Sequence, residues 1–232
     1  MLKLKDQALL KGVDNPVPLT LKNRTEDNVM DIQVEQLLIN LRKRGFRAQY
    51  VQTADEAKLV VMDLVRAEQS VGIGGSMTIH DMNLYDALIK RGNKVFWHWK
   101  ASFEKVDEER KKAVDADVYL TSSNAITHDG ILVNTDGTGN RVSAMFYGPD
   151  TVIVVCGINK LAKDLQSALN RVKNIACPLN GRRLGLKTPC ALTDKCTDCD
   201  SPQRMCNVTV LLERPTNGKT VYVILVDEPL GY

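Results

Sequence analysis

The stretch Asp117–Arg141, DVYLTSSNAITHDGILVNTDGTGNR, decides how the rest of the 232-residue chain is read. Val118, Tyr119 and Leu120 form an apolar run of strand type, and Thr121, Ser122, Ser123 and Asn124 follow at once. Hydroxyl and amide groups gathered at the carboxyl end of a strand stand where open α/β sheets form their ligand crevice. Asp129-Gly130, Asp136-Gly137, Gly139 and Asn140 come next. Such residues accept positive φ and let backbone approach a bound molecule closely. Taken singly, each fits a tight turn beside Ile131-Leu132-Val133; taken together, they point to a site.

Towards the amino terminus, Val29, Ile32, Val34, Leu37, Leu38 and Leu41 recur at helical spacing between Thr25 and Arg44, and Gly45 can end that helix. Phe46–Val51 reads as a strand, and Thr53 with Glu56 makes a capping box for a helix through Leu64. Ser70–Ile73 is the next strand. It leads through Gly72-Ile73-Gly74-Gly75-Ser76-Met77-Thr78 into a helix over about His80–Lys90, with Leu84, Leu88 and Ile89 turned inward. Strand, glycine turn and helix is a phosphate-cradling order, with backbone N–H groups and the Ser76 and Thr78 hydroxyls as donors. Met77 stands where a dinucleotide fingerprint wants glycine and no Gly-Lys-Ser/Thr ending follows, so a plain tight turn remains an equal reading. Asn93–Trp99 supplies a strand in which His98 reads as packed or surface, and Phe103–Asp115 a charged helix with a solvated face.

Towards the carboxyl terminus, TVIVVC at Thr151–Cys156 is the continuous apolar run of a parallel strand buried on both faces. Gly157-Ile158-Asn159-Lys160 then turns into a helix through about Val172, placing Lys160 beside a strand end, either facing an anion or solvated. Asn207–Glu213 and Thr220–Asp227 read as strands joined by an Asn217-Gly218 hairpin turn. Alternating strands and helices specify an α/β fold with a Rossmann-like, mainly parallel sheet and helices on both faces. The expected organisation is one domain over residues 1–232, including a Cys-rich loop at 177–206 and a C-terminal β-hairpin at 207–232.

A hydrophobic content of 44% over this length can bury a large core. Thirty-one basic against 28 acidic residues leave a net charge of +3, which argues against nucleic-acid or membrane partners and allows a local anion site. The first residues, MLKLKDQALLKG, carry lysines among their apolar positions, and no run approaches the roughly 18 apolar residues of a spanning helix. A cytoplasmic protein without membrane insertion is therefore expected. Of six cysteines, Cys190, Cys196, Cys199 and Cys206 crowd into a C-x5-C-x2-C-x6-C spacing, which suits metal ligation better than disulfides. Four thiolates accept either tetrahedral Zn or a [4Fe–4S] cluster, and four reduced thiols without metal is the plainer alternative. Cys156 and Cys177 read as packing residues.

The segments VGIGGSMT, ADVYLTSSNAITHDGILVNTDGTGNRVSAMFYGP and VIVVCGINK resemble LUD (lactate-utilisation) domain proteins of the LutC/YkgG type, a likeness running from about Val29 to the C terminus. That family is similar in fold to ribose-5-phosphate isomerase, glucosamine-6-phosphate deaminase, CoA transferases and the methylthioribose-phosphate isomerase group. The resemblance implies a site for a small anionic or phosphorylated metabolite at Gly74, Gly75, Ser76, Thr78, Asn124, Thr127, Asp136, Gly137, Asn140 and Lys160. It also implies a lactate-linked redox setting, which favours iron–sulfur in the Cys loop and brings in redox partner subunits; a homo-oligomer is compatible with it. Two departures bear on mechanism. The isomerases place a carboxylate near the position of Asn124, whose amide cannot take a proton in the same way, and a CoA transferase needs a nucleophilic Glu, yet none lies between Glu109 and Glu213. Asp129 and Asp136 are the carboxylates left as acid/base candidates, with turn capping as their other reading. An isomerase- or transferase-like enzyme on a phosphorylated substrate, and a non-catalytic scaffold subunit, remain the alternatives.

Overall fold

The computed structural model describes residues 26–232, with side chains from residue 33 onward; Val29, Ile32 and the amino-terminal lysines lie outside it in that respect. The strands in chain order are β1 (Arg47–Val51), β2 (Val71–Ile73), β3 (Val95–Phe96), β4 (Val118–Thr121), β5 (Ala125–Thr127), β6 (Leu132–Asp136), β7 (Thr151–Gly157), β8 (Leu161–Ala162), β9 (Val208–Leu212) and β10 (Thr220–Val226). The helices are α1 (Glu26–Lys43), α2 (Ala54–Leu64), α3 (Met77–Asp81), α4 (Leu84–Arg91), α5 (Val106–Val114), α6 (Asn140–Ala144), α7 (Leu165–Arg171), α8 (Cys177–Arg183) and α9 (Pro189–Thr193).

Six strands pair in the order β1-β10-β7-β4-β2-β3, every pair parallel. The apolar run of β7 sits inside this sheet, and its side chains divide between two cores. Val152, Val154 and Cys156 pack with Val34, Leu37 and Leu41 of α1, whereas Ile153 and Val155 pack with Ala57 and Val61 of α2 and Leu84 and Leu88 of α4. Period-two alternation against helices on both faces is the layered α/β architecture. Thr53 caps α2 by accepting from the Glu56 N–H at 3.2 Å, while the Glu56 carboxylate accepts from the Gln52 N–H at 2.9 Å. Gly45 closes the turn after α1 at φ +92°.

A smaller sheet, β8-β5-β6-β9, grows from the loop after β4. It corrects the hairpin expectation. The turn exists, with Gly218 at φ +80° and the Lys219 N–H donating to Thr216 O at 3.0 Å, but the two strands it joins enter different sheets. β9 pairs antiparallel with β6, while β10 inserts between β1 and β7. Their burial explains the parting. Val221, Val223, Ile224, Leu225 and Val226 are all buried and need a slot covered on both faces, whereas VTVLL of β9 is exposed along most of its length.

Three smaller expectations also change. The helix expected over His80–Lys90 is broken at Asn83, φ 51°, and Ile89 is 46% exposed. The strand expected over Asn93–Trp99 is confined to β3, with His98–Lys100 in a 3-10 turn. The segment after Gly157 forms β8 before α7 begins, capped by Asp164, which accepts from the Ser167 N–H at 2.7 Å.

Candidate functional site

The carboxyl ends of β2, β4 and β7 open into a cleft of about 430 Å³. Its floor is made by three side chains the sequence places far apart. Lys160, only 3% exposed, donates from Nζ to Ser122 Oγ at 2.8 Å and to Thr78 Oγ1 at 2.9 Å. Thr78 in turn donates to Leu230 O at 3.2 Å, so the carboxyl-terminal tail closes over the group. No carboxylate pairs with this ammonium among the described residues. Burial lowers the Lys160 pKa to about 8; Cys156 and Asp81 work against that shift, and Arg171 and Arg141 push with it. A buried cation whose hydrogen-bond acceptors are both hydroxyls, with no carboxylate in contact, favours an anion in front of it.

One wall is an arginine-centred network. Arg141, buried at the start of α6, donates from Nη1 to Asn134 Oδ1 at 2.7 Å and from Nη2 to Asn124 Oδ1 at 3.0 Å and Thr135 O at 2.7 Å. Asp136 faces the cleft but accepts from the backbone N–H groups of Gly137, Arg141 and Val142 at 2.8, 2.9 and 3.3 Å. Its oxygens cap α6, the role foreseen as the alternative to acid/base work. Gly74 lies behind this wall: a Cβ there would come within 2.9 Å of both Arg141 Cγ and Tyr119 Oη. Gly75 has room, its nearest neighbour being Trp99 at 3.6 Å. Ser76 caps α3, accepting from the Ile79 N–H at 3.3 Å.

Gly75, Ser76, Thr78, Asn124, Asp136, Gly137, Asn140 and Lys160 thus converge on one cleft. Gly74 supports it from behind, and Thr127 and Asp129 stand apart. Thr127 is fully buried, accepting from the Ile131 N–H at 2.9 Å and donating to Asp129 at 2.5 Å. Asp129 pairs with Arg44 of the α1 turn at 2.6 Å, a structural tie between α1 and the second sheet.

The opposite wall consists of residues that no local sequence pattern joins. His98, Trp99 and Arg110 come from the β3–α5 region and Arg183 from α8. Arg183 lies over the Trp99 ring at 4.6 Å, and Trp99 stacks on Trp97 at 5.1 Å. Burial, and then the Arg110 charge, lower the His98 pKa to about 4, so its ring is neutral at pH 7. His98 Nδ1 and Arg110 Nε are buried without a protein partner. The cleft lining holds four cationic side chains, Arg110, Arg141, Lys160 and Arg183, against the single carboxylate of Asp136, which makes it a receptor for negative charge.

Beside the cleft lies the Cys loop. Cys177 lines the cleft at the start of α8, and its thiol lies close enough to Cys206, Cys190 and Cys196 to sense their charge. Burial, reinforced by those neighbours, pushes the Cys177 thiol up to about 12. The Asn174 side-chain Oδ1 accepts from the Cys196 N–H at 3.0 Å, and Arg204 ties the loop by donating to Cys199 O at 2.6 Å and Cys206 O at 3.3 Å. Lys173 and Arg204 supply positive charge around the sulfurs. Soft thiols ringed by cations suit a soft metal chemically. Among the described residues no group of three or more His, Cys, Asp or Glu side chains stands at ligand distances, so a metal would have to draw the sulfurs together. Cys156 is apart from this group, buried in β7 with its sulfur accepting from the Ser123 N–H at 3.2 Å.

The model of the LUD domain matches residues 34–226. The chain belongs to the LUD-domain family. No curated protein matches it. Among solved structures, a DUF162-family protein from Deinococcus radiodurans aligns over 84% of this chain and 97% of its own at 13% identity, with a TM-score of 0.49. No helix of this LUD domain, among the described residues, is long and apolar enough to cross a membrane.

Proposed function

We propose that this LUD domain binds a small anionic or phosphorylated metabolite in the cleft, with Lys160 as its principal charge partner, and that the Cys loop holds a four-thiolate metal centre. The observation that carries the anion reading is the buried Lys160 ammonium, held by two hydroxyls and no carboxylate. The orphaned His98 Nδ1 and Arg110 Nε on the facing wall support it, because a bound ligand would give them partners. Ser122, Thr78 and Ser76 would add neutral donors, and Gly75 would let backbone close on the ligand. The metal reading rests on the donor chemistry of Cys190, Cys196, Cys199 and Cys206 and on their cationic surroundings. Zinc would supply structure there, and an iron–sulfur cluster would supply electron transfer in a cytoplasmic, lactate-linked oxidation with redox partner subunits.

A second reading, an isomerase- or transferase-like enzyme on a phosphorylated substrate, is favoured by His98, whose neutral ring and free Nδ1 offer the base that Asn124 cannot be. Trp99 lines the cleft and Trp97 stacks on its ring, so titration of intrinsic fluorescence with inorganic phosphate and sulfate tests the shared anion site. Binding lost in Lys160→Met supports it, and binding that ignores Lys160 defeats it. Turnover of sugar phosphates or acyl-CoA that disappears in His98→Gln would move the assignment to the second reading.

A further inference from the structure

We infer that the cleft takes a ligand with two anionic ends joined by a short chain, of the class of phosphorylated carboxylic acids, with one end on Lys160 at the floor and the other against Arg110 and Arg183 on the facing wall. The inference rests on the anion reading above and adds a second anchor, which that reading does not contain. The floor has one donor to give. An ammonium carries three protons, and Lys160 Nζ commits two of them to Ser122 Oγ at 2.8 Å and Thr78 Oγ1 at 2.9 Å. Arg141 is unavailable, because its guanidinium is already bound to Asn134 Oδ1, Asn124 Oδ1 and Thr135 O. Arg110 and Arg183 are different. Arg110 donates from Nη1 to Asp107 Oδ1 at 2.9 Å, but that carboxylate is 82% exposed and the pair is screened by water, while Arg110 Nε is buried with no protein partner. Arg183 is held by Tyr232 Oη at 2.7 Å and Asn180 Oδ1 at 2.8 Å, both neutral, and no carboxylate pairs with it among the described residues. His98 Nδ1 is a second buried, unpartnered polar atom on this wall.

The glycine turn sets floor and wall apart. A Cβ on Gly75 would meet Trp99 at 3.6 Å and His98 Cε1 at 3.7 Å, so Gly75 marks the wall, whereas Thr78, three residues on, holds Lys160 at the floor. Three residues of chain reach at most roughly 10 Å, a span that a few carbon atoms can bridge. The cleft volume of about 430 Å³ lies within the roughly 300–1,000 Å³ that encloses a whole small molecule rather than one ion. A lone oxyanion on Lys160 would leave Arg110 Nε and His98 Nδ1 without partners. The protein cannot supply the missing charge itself, since Asp136, the only carboxylate in the lining, is taken up by the backbone N–H groups of Gly137, Arg141 and Val142. A second anionic group on the same ligand partners the wall.

The experiment is calorimetric titration of the full chain with matched probes at one ionic strength. Each pair consists of a phosphonate that bears a carboxylate beyond two, three or four methylene groups and the alkylphosphonate of equal length that ends in methyl. At least one carboxylate-ended probe is expected to bind about tenfold or more tightly than its methyl-ended counterpart, as a charge-assisted contact on the wall requires. Arg110→Gln combined with Arg183→Gln should abolish that advantage and leave the alkylphosphonate affinity largely unchanged, which also shows that the variant is folded. Lys160→Met should weaken both members of every pair. No advantage at any length, or an advantage that survives loss of both arginines, overturns the inference and leaves a single-anion site on Lys160 standing. Failure of every phosphonate to bind the unaltered chain overturns the anion reading itself, and the second anchor with it.

Discussion

The cleft and the Cys loop touch, yet they are built on opposite terms. In the cleft the geometry is finished. Arg141 already has three acceptors, Asp136 three donors and Lys160 two hydroxyls, so the side chains are held in place whether or not a ligand is present. In the loop the chemistry is assembled but the geometry is not: the thiols of Cys177, Cys190, Cys196 and Cys206 lie near one another, while among the described residues no three ligand groups stand at metal-binding distances. A preorganised receptor needs only its ligand, whereas a loop of soft donors needs its metal to complete its structure. Binding to the first should change little beyond the site, and binding to the second should order a segment.

The largest test of that contrast is therefore in the loop. Cys196→Ser or Cys199→Ser should lose essentially all bound metal, since a hydroxyl is a poor soft-metal ligand, and should speed amide exchange from Cys190 to Cys206. Elemental analysis of anaerobically purified protein, with thiolate-to-iron absorption as the second readout, checks this. Cys156, buried in β7 away from the loop, is the control: Cys156→Ala should keep the metal. Equal metal content in all three variants would remove the centre from the Cys loop.

In the cleft the losses should be graded rather than total. Lys160→Met removes the one charge-assisted donor on the floor, worth ~1.5–3 kcal/mol, so phosphate or sulfate should bind about 10–100-fold more weakly with the fold intact. The wild-type affinity should itself fall as pH rises through about 8, where the free Lys160 loses its proton, and Lys160→Met should lack that dependence. Glycine variants separate ligand space from fold space. Gly75→Val points a side chain into the cleft past a neighbour at 3.6 Å and should cost more than about tenfold in binding, or ~1.4 kcal/mol, with little change in Tm. Gly72→Ala, three residues earlier in the chain, would set a Cβ 2.1 Å from Ala113 O and should cost about 1–3 kcal/mol of stability. Equal Tm losses in both would mean that Gly75 is packed rather than open.

The same contrast shows what the sequence can carry. β7 and α2 were legible because burial on two faces and a capping box leave local marks in TVIVVC and Thr53–Glu56. Eight of the ten implied ligand positions line the cleft because glycines, hydroxyls and amides clustered at strand ends have few other uses there. Arg110 was illegible because it sits in a run of charge whose local pattern says only solvated helix, and Arg183 because it stands in a segment read only as the start of a Cys-rich loop. Arg141 stood inside the decisive stretch, and its burial among Asn124 and Asn134 depends on β6 folding back beside β4, which no local spacing announces. The C-terminal pair misled for a related reason. A turn at Asn217-Gly218 fixes where the chain reverses, but the all-apolar face count of β10 decides which sheet receives it.

The smallest effect is also the most local, and it concerns His98. Burial and the Arg110 and Arg183 charges lower its pKa to about 4, while the Asp136 carboxylate works the other way. On a fall in pH the folded state therefore binds the His98 proton later than the unfolded chain does, whose histidine takes it up near the ordinary value of 6.5. The sign follows: between about 6.5 and 4 the unfolded state holds more protons, so stability attributable to His98 falls as pH falls through that window and is fully retained above it. An anion seated against Arg110 and Arg183 offsets the charges that help to depress the ring, so sulfate should raise the His98 pKa and bind with partial proton uptake near pH 5. The chain has three histidines, and His98→Gln identifies the resonance in a proton NMR titration. An upward shift with sulfate in wild type, retained in Gly72→Ala and lost in Lys160→Met, would put the anion between the two walls of the cleft. A His98 resonance indifferent to sulfate that nonetheless binds through Lys160 would confine the ligand to the floor and leave the His98 wall for a different part of a larger molecule.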